Sequence, residues 1–172
     1  MTETHALLRH FLAALAYRTQ KALRGAPESF ADFRVAEGLR TPRELLRHMT
    51  SVLGYARTYL IGGEYATNAL PDMAAEIARF HEMLEDLGSR IAAGEQFPSA
   101  EAMLQGPFSD AMTHAGQLAM LRRLHGSPVP PENFIKADIS ADNLTADQPE
   151  PRAFGRRDGK WDPRGVVDER DD

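Results

Sequence analysis

Three polar side chains are spaced along the sequence so that they fall on one face of a predicted helix. Asp110, His114 and Gln117 follow one another at intervals of four and three residues. At 100° per residue this spacing places all three side chains on the same helical face. The face is continued toward the C-terminus by three leucines, Leu118, Leu121 and Leu124. A carboxylate, an imidazole and an amide therefore occupy positions where core residues are expected.

Burying such groups costs several kcal/mol unless they have partners, so the pattern needs an explanation. One explanation is a metal ion that takes Asp110 and His114 as ligands. The other is purely structural, because a carboxylate in the first turn of a helix is favoured by the helix dipole and pairs with a histidine one turn on. This stretch alone leaves both open.

A second buried histidine lies in an earlier predicted helix. Thr41 to Glu44 place Thr at the N-cap, Pro at the first helical position and Glu at the third, which predicts a helix reaching about Ile61. His48 falls at the edge of its buried face. Together with Asp110 and His114 it makes two imidazoles and one carboxylate, a ligand set with open positions that is typical of metal-activated chemistry.

Further polar groups are candidates for supporting roles around these ligands. Gln117 lies one turn beyond His114 and is expected to hydrogen bond to a metal-ligating residue. Tyr55 and Tyr59 follow His48 along its helix and are candidates to supply a phenol near the open side. Ordinary core packing is the alternative interpretation for both tyrosines.

The elements that must position these residues are four amphipathic helices, which predict an all-α fold for a chain of 172 residues. The helices are predicted at 3–24, 41–61, 71–93 and 109–124, with a single turn between 98 and 104. The order of the helices predicts an up-down bundle, although the long first connection permits a crossover. The second and fourth helices are expected to run parallel, so that their N-terminal parts share one end. Residues 1–131 then form a four-helix bundle.

The helical periodicity of the sequence also predicts which side chains point away from the core. Arg122 and Arg123 are expected to point away from the leucine face of the last helix. In the third helix Glu76 belongs to a charged, solvated face, and in the second helix Thr50 lies opposite the apolar face.

Residues 132–172 are rich in Pro, Gly, Asp and Arg and predict a long, mostly irregular tail. Its hydrophobic side chains are expected to pack on the bundle, namely Phe134, Ile135, Ile139, Leu144, Phe154 and Trp161. The tail is a candidate cover for the open side of the metal site. The last stretch, 167–172, is expected to be disordered.

Composition limits the chemistry. A net charge of −5 gives no basic surface for nucleic acid, and the absence of cysteine excludes disulfides, thiolate ligands and a cysteine nucleophile within the chain. The N-terminus lacks the features of a signal peptide, and no apolar run reaches membrane-spanning length. We therefore expect a cytoplasmic protein that binds neither nucleic acid nor a membrane.

Around the candidate ligands the sequence resembles the DinB-like superfamily of metal-binding four-helix bundles, which includes DinB, YfiT-like and thiol S-transferase relatives. The resemblance spans about residues 7–127. It rests on TPRELLRH, which ends at His48, and on DAMTHAGQ, which begins at Asp110 and is followed by LAMLRRL and Gly126. The second motif looks like the family's His-x-x-x-His-x-Gly-Gln segment, with Asp110 in place of the first histidine.

The resemblance implies a divalent metal, Zn, Ni, Fe or Mn, held by His48, Asp110 and His114. A carboxylate in place of one imidazole favours harder ions. It also implies an enzyme in which the metal activates a thiol or water for transfer to, or hydrolysis of, a small electrophile. The thiol would have to be a cofactor such as bacillithiol, mycothiol or glutathione, and similar bundles suggest a homodimer.

Two other classes of function remain open at this stage. One is a non-catalytic, stress-related bundle in which the metal is structural. The other is a helical scaffold in which Asp110 and His114 form only an ion pair.

Overall fold

The computed structural model describes residues 2–152. The regular secondary structure of these residues is entirely helical, and they contain no β-strand. The all-α prediction is confirmed for this part of the chain. Four long helices alternate with irregular connections, and a short helix, α4, precedes the last one. They are α1 (Glu3–Leu23), α2 (Pro42–Ile61), α3 (Met73–Ala92), α4 (Ala100–Met103) and α5 (Ser109–Leu124). Phe154, Trp161 and 167–172, for which packing or disorder was predicted, lie outside the described residues.

The start of α2 shows why the helices begin where the sequence predicts. The Thr41 hydroxyl accepts a hydrogen bond from the Glu44 amide, and the Glu44 carboxylate accepts one from the Thr41 amide. Pro42 fills the first helical position, where no amide donor is needed. The hydrogen bond from the Thr41 amide, with Arg34 nearby, lowers the pKa of Glu44. This cap fixes the position of His48, two turns into the helix.

The four long helices share one hydrophobic core. α1 packs against α3 and α5, and α2 packs against the same two helices, so α1 and α2 lie on opposite corners of the four. The core is built from side chains of every long helix. Its fully buried members include Leu12, Leu15, Leu46, Met49, Leu53, Phe80, Leu84, Leu87 and Leu118.

Helices α2 and α3 run parallel. Arg43, at the start of α2, hydrogen bonds to the carbonyl of Pro71 just before α3. Further along both helices, Arg57 forms an ion pair with Asp86. The connection 62–72 must therefore return along the length of α2, and Tyr65 packs so closely on the way that a Cβ on Gly54 would overlap its ring.

Helices α1 and α5 also run parallel. The ring of Phe11 stacks on Phe108, which immediately precedes α5, with centroids 6.1 Å apart. At the other end, Arg122 donates a hydrogen bond to the carbonyl of Ala22.

Helices α2 and α5 are antiparallel, so the prediction of an up-down bundle with parallel second and fourth helices is wrong. The Arg43 amide at the start of α2 bonds to the carbonyl of Ala31, and the neighbouring ring of Phe33 contacts His125 at the end of α5. The N-terminal parts nevertheless meet, because α2 extends past the start of α5 and contacts the kinked segment 104–108.

Four predictions about the last helix are wrong. Asp110 and Gln117 were expected on the core face, but both are exposed.

The other two concern the C-terminal part of the helix. Arg122 is buried, because its guanidinium satisfies carbonyls of Ala22, Arg24 and Gly25 where α1 ends. Leu124 is exposed, because the helix ends at that residue and nothing in the described part of the chain covers its side chain.

Two polar side chains expected on solvated faces are also buried. Glu76 is buried because the returning connection covers it: its carboxylate accepts a hydrogen bond from the Leu70 amide and pairs with Arg79. Thr50 is also buried, and burial leaves no unsatisfied donor there because its hydroxyl donates to the carbonyl of Leu46 within its own helix.

Residues 132–152 of the tail lie on α1 and α3. The buried carboxylate of Glu132 accepts a hydrogen bond from the Tyr17 hydroxyl at 2.6 Å and pairs with the Lys21 ammonium at 3.1 Å. Leu144 packs against Gly88, where a Cβ would approach it to 2.1 Å. The predicted packing of Ile135 is wrong, because its side chain points to solvent and is 89% exposed. The described part of the tail therefore covers the side of the core away from the α2–α5 contact, and it does not cover His48 as the sequence suggested.

Candidate metal site

His48, Asp110 and His114 meet where α2 crosses the start of α5. The Asp110 carboxylate reaches both imidazoles, with 3.3 Å from Oδ1 to Nε2 of His114 and 3.7 Å from Oδ2 to Nε2 of His48. The two rings approach each other edge to face, with centroids 4.9 Å apart. The i, i+4 spacing on α5 brings Asp110 and His114 together, and the helix crossing adds His48.

The arrangement has the dimensions of a metal site. One nitrogen or oxygen from each residue lies within 4.8 Å of the others. Ligands about 2.1 Å from a common tetrahedral ion lie about 3.4 Å apart, so only small side-chain adjustments bring all three into range. These residues can hold a metal ion. Among residues 2–152, His48, Asp110 and His114 are the cluster of potential metal ligands that the structure shows.

Gln117 orients one of the candidate ligands. Its Oε1 lies 2.8 Å from Nδ1 of His114, a contact in which the ring nitrogen donates, because an amide oxygen only accepts. In the neutral ring this donor role places the proton on Nδ1 and leaves the lone pair of Nε2 directed at Asp110 and His48. The same contact holds the ring in place, as the partners of metal-ligating histidines commonly do.

The site is closed toward the core and open on the outside. The side chains are exposed to 11% for His114, 29% for His48 and 45% for Asp110. A small molecule can therefore approach the carboxylate and the outer edge of His48 without any movement of the core.

Electrostatics favour the neutral form of His48. Burial lowers the pKa of its imidazole, and the positive charge of Arg40 lowers it further, against the opposing effect of Asp110. A neutral imidazole is the form that ligates metals.

Tyr55 and Tyr59 are both exposed on α2, and their hydroxyls hydrogen bond to each other. Core packing, the alternative considered for them, is wrong, because no helix of residues 2–152 covers the side of α2 that carries them. Within residues 2–152, the hydrogen bond between the two hydroxyls is the polar contact that the structure shows for these phenol groups.

A cavity of about 410 Å³ adjoins the site on the His48 side. Its walls come from α2 and from the connections before and after it. It is lined by Arg34, Gly38, Leu39, Arg40, Glu44, Arg47, His48, Ser51 and Thr67. Sequence reasoning missed its three arginines. The available signal was the presence of five arginines within fifteen residues of His48 in a chain of net negative charge.

Comparisons with known proteins returned no matching family model, no matching curated protein and no matching solved structure. Within residues 2–152, the helices are too polar or too short to cross a membrane.

Proposed function

We propose that this chain is a metal-dependent enzyme of the DinB-like kind, with a divalent ion held by His48, Asp110 and His114. The observation that carries the proposal is the convergence of three ligand atoms, from two helices far apart in sequence, within 4.8 Å. The four long helices around one core support a four-helix bundle. The TPRELLRH and DAMTHAGQ motifs support the family.

A divalent ion at this position would lower the pKa of a bound water or thiol and generate a nucleophile near neutral pH. The chain supplies the rest of the site. Gln117 keeps the Nε2 lone pair of His114 directed inward, and the half-exposed Asp110 leaves an approach for a small electrophile. The chain has no cysteine, so a thiol nucleophile would come from a low-molecular-weight cofactor.

Elemental analysis tests the proposal directly. We expect the purified full-length protein to contain about one transition-metal ion per chain, whereas His48→Ala, Asp110→Ala and His114→Ala lose most of it. His10→Ala is the matched control, because His10 is an exposed histidine outside the site. A wild-type protein without metal, even after incubation with Zn, Ni, Fe and Mn salts, contradicts the proposal, as does an unchanged metal content in His114→Ala.

The reaction type is tested next with the metal-loaded protein. A panel of small electrophiles, each offered with glutathione, bacillithiol, mycothiol or no thiol, separates thiol transfer from hydrolysis. Activity that disappears in Asp110→Ala with the metal supports an enzyme. Tightly bound metal without turnover supports the non-catalytic, metal-binding alternative.

A helical scaffold is the second candidate, and one distance favours it. Asp110 and His114 lie at ion-pair distance, 3.3 Å, one helical turn apart. Thermal unfolding with and without a chelator separates the two. A bound ion makes unfolding sensitive to the chelator, whereas a simple ion pair does not.

A further inference from the structure

Within residues 2–152, the lining of the cavity beside His48 carries more positive than negative charge. Three arginines and one glutamate line it, which gives a formal charge of +2 in a chain whose net charge is −5. Arg34 and Glu44 form an ion pair at 3.2 Å, so these two largely cancel. The excess therefore belongs to Arg40 and Arg47.

Neither of these two arginines has a carboxylate within ion-pair distance in the part of the chain that the structure describes. The ion pairs of residues 2–152 engage other arginines, among them Arg9, Arg24, Arg43, Arg57, Arg79 and Arg90. Arg40 and Arg47 instead face the cavity from two directions, one from the connection before α2 and one from α2 itself. A guanidinium in such a position offers a planar pair of donors to an oxyanion.

Neutral donors complete the lining. Ser51 lies one turn beyond Arg47 on the same side of α2, and Thr67 reaches the cavity from the connection 62–72. Their hydroxyls can donate hydrogen bonds to oxygen atoms that the two guanidinium groups leave free. The cavity also includes His48, so a molecule anchored there has its other end beside the candidate metal ligands.

From this arrangement we propose that the cavity is the substrate-anchoring subsite, and that it binds the oxyanion group, a carboxylate or a phosphate, of a small anionic substrate. The inference rests on the proposed function for its orientation toward the metal. A divalent ion with one Asp ligand leaves a formal charge of +1, which adds to the charge of the cavity. An anionic substrate is therefore attracted by both halves of the site.

Binding of the anion itself is testable without turnover. Isothermal titration calorimetry of the full-length protein with succinate, with inorganic phosphate and with neutral succinamide compares the wild type with Arg40→Gln and Arg47→Gln. We expect succinate or phosphate to bind, each substitution to weaken that binding about tenfold, and succinamide not to bind. The anion that binds identifies the group as carboxylate or phosphate. Added salt is expected to weaken binding.

Arg123→Gln is the matched control, because Arg123 is an exposed arginine on α5 that does not line the cavity. It should bind like the wild type. Circular dichroism checks that both cavity variants are folded; Arg40 is exposed in a connection, so its variant is the safer of the two.

The same titration in Asp110→Ala separates this inference from the proposed function. Anion binding that persists in this variant supports the subsite even if the wild type holds no metal. The subsite is overturned if neither anion binds, if Arg40→Gln and Arg47→Gln bind as the wild type does, or if succinamide binds equally well.

Discussion

Buried histidines occur on two sides of this core and have different surroundings. On the α3 side, His81 is closed in by the tail, with Nδ1 2.8 Å from the carbonyl of Leu144. On the α5 side, His114 is almost as buried, but its Nε2 faces a carboxylate and a second imidazole beside solvent. A histidine that hydrogen bonds only to a main-chain carbonyl has a packing role. A histidine that faces other ligating side chains keeps a lone pair available for a metal ion.

The acidic residues of these two regions, the side covered by the tail and the α2–α5 side, differ in the same way. The side chain of Glu132 is 0% exposed and pairs with Lys21, which is 7% exposed, whereas the side chain of Asp110 is 45% exposed. A buried pair is strongly destabilised when one partner is removed, and a half-exposed carboxylate contributes little. We therefore expect the tail side to determine stability and the α2–α5 side to determine ligand binding.

The largest expected effect is on the tail side. Glu132→Ala leaves the buried ammonium of Lys21 and the hydroxyl of Tyr17 without their acceptor, and should lower the free energy of unfolding by about 3 kcal/mol. Asp110→Ala is the matched change on the other side and should cost less than about 1 kcal/mol in metal-free protein. Urea denaturation measures both. Equal losses in the two variants would remove the distinction between the sides.

A smaller effect is expected from the residue that orients His114. Gln117→Ala removes the acceptor for Nδ1 and should weaken metal affinity about tenfold, with the overall fold intact because Gln117 is exposed. Competition with a chelating dye measures the affinity. Gln117→Glu, which restores an acceptor, should recover it, and an alanine variant that binds metal like the wild type would show that the contact has no such role.

The smallest expected effect concerns His81 and pH. Burial lowers the pKa of its imidazole, and its Nε2 is buried without a hydrogen-bond partner in the described residues. As pH falls through the unfolded value of about 6.5, the unfolded chain takes up a proton that the folded chain resists, so stability decreases. When the pH is lowered from about 7.5 to about 5, the melting temperature of the wild type should decrease by more than that of His81→Gln. An identical loss in both proteins would exclude this contribution.

Local signals in the sequence were sufficient to predict the helices. Capping residues such as Thr41 and apolar periodicity depend on neighbours within a few positions, and the helix bounds agree with the prediction to within two residues. The grouping of His48, Asp110 and His114 was also predictable, because each lies on a buried or half-buried helical face. Which metal and which reaction belong to them stays a prediction.

Long-range contacts could not be predicted in the same way. Arg122 is polar on a helical wheel, and only the nearby end of α1 gives its guanidinium a reason to be buried. Glu76 is covered by a connection whose path depends on the parallel arrangement of α2 and α3. The cavity of Arg40 and Arg47 likewise depends on how two connections fold around α2. These features follow from topology, which the periodicity of single helices does not contain.

The connection 62–72 has little spare length. It must return along a helix of 20 residues, which is about 30 Å long, and shift sideways by about one interhelical distance of 10 Å. Its twelve Cα–Cα steps from Ile61 to Met73 cover about 40 Å when extended. Natural or engineered variants of this chain can therefore lengthen the segment freely, whereas deletion of more than about two residues would unwind a helix end or reverse the direction of α3.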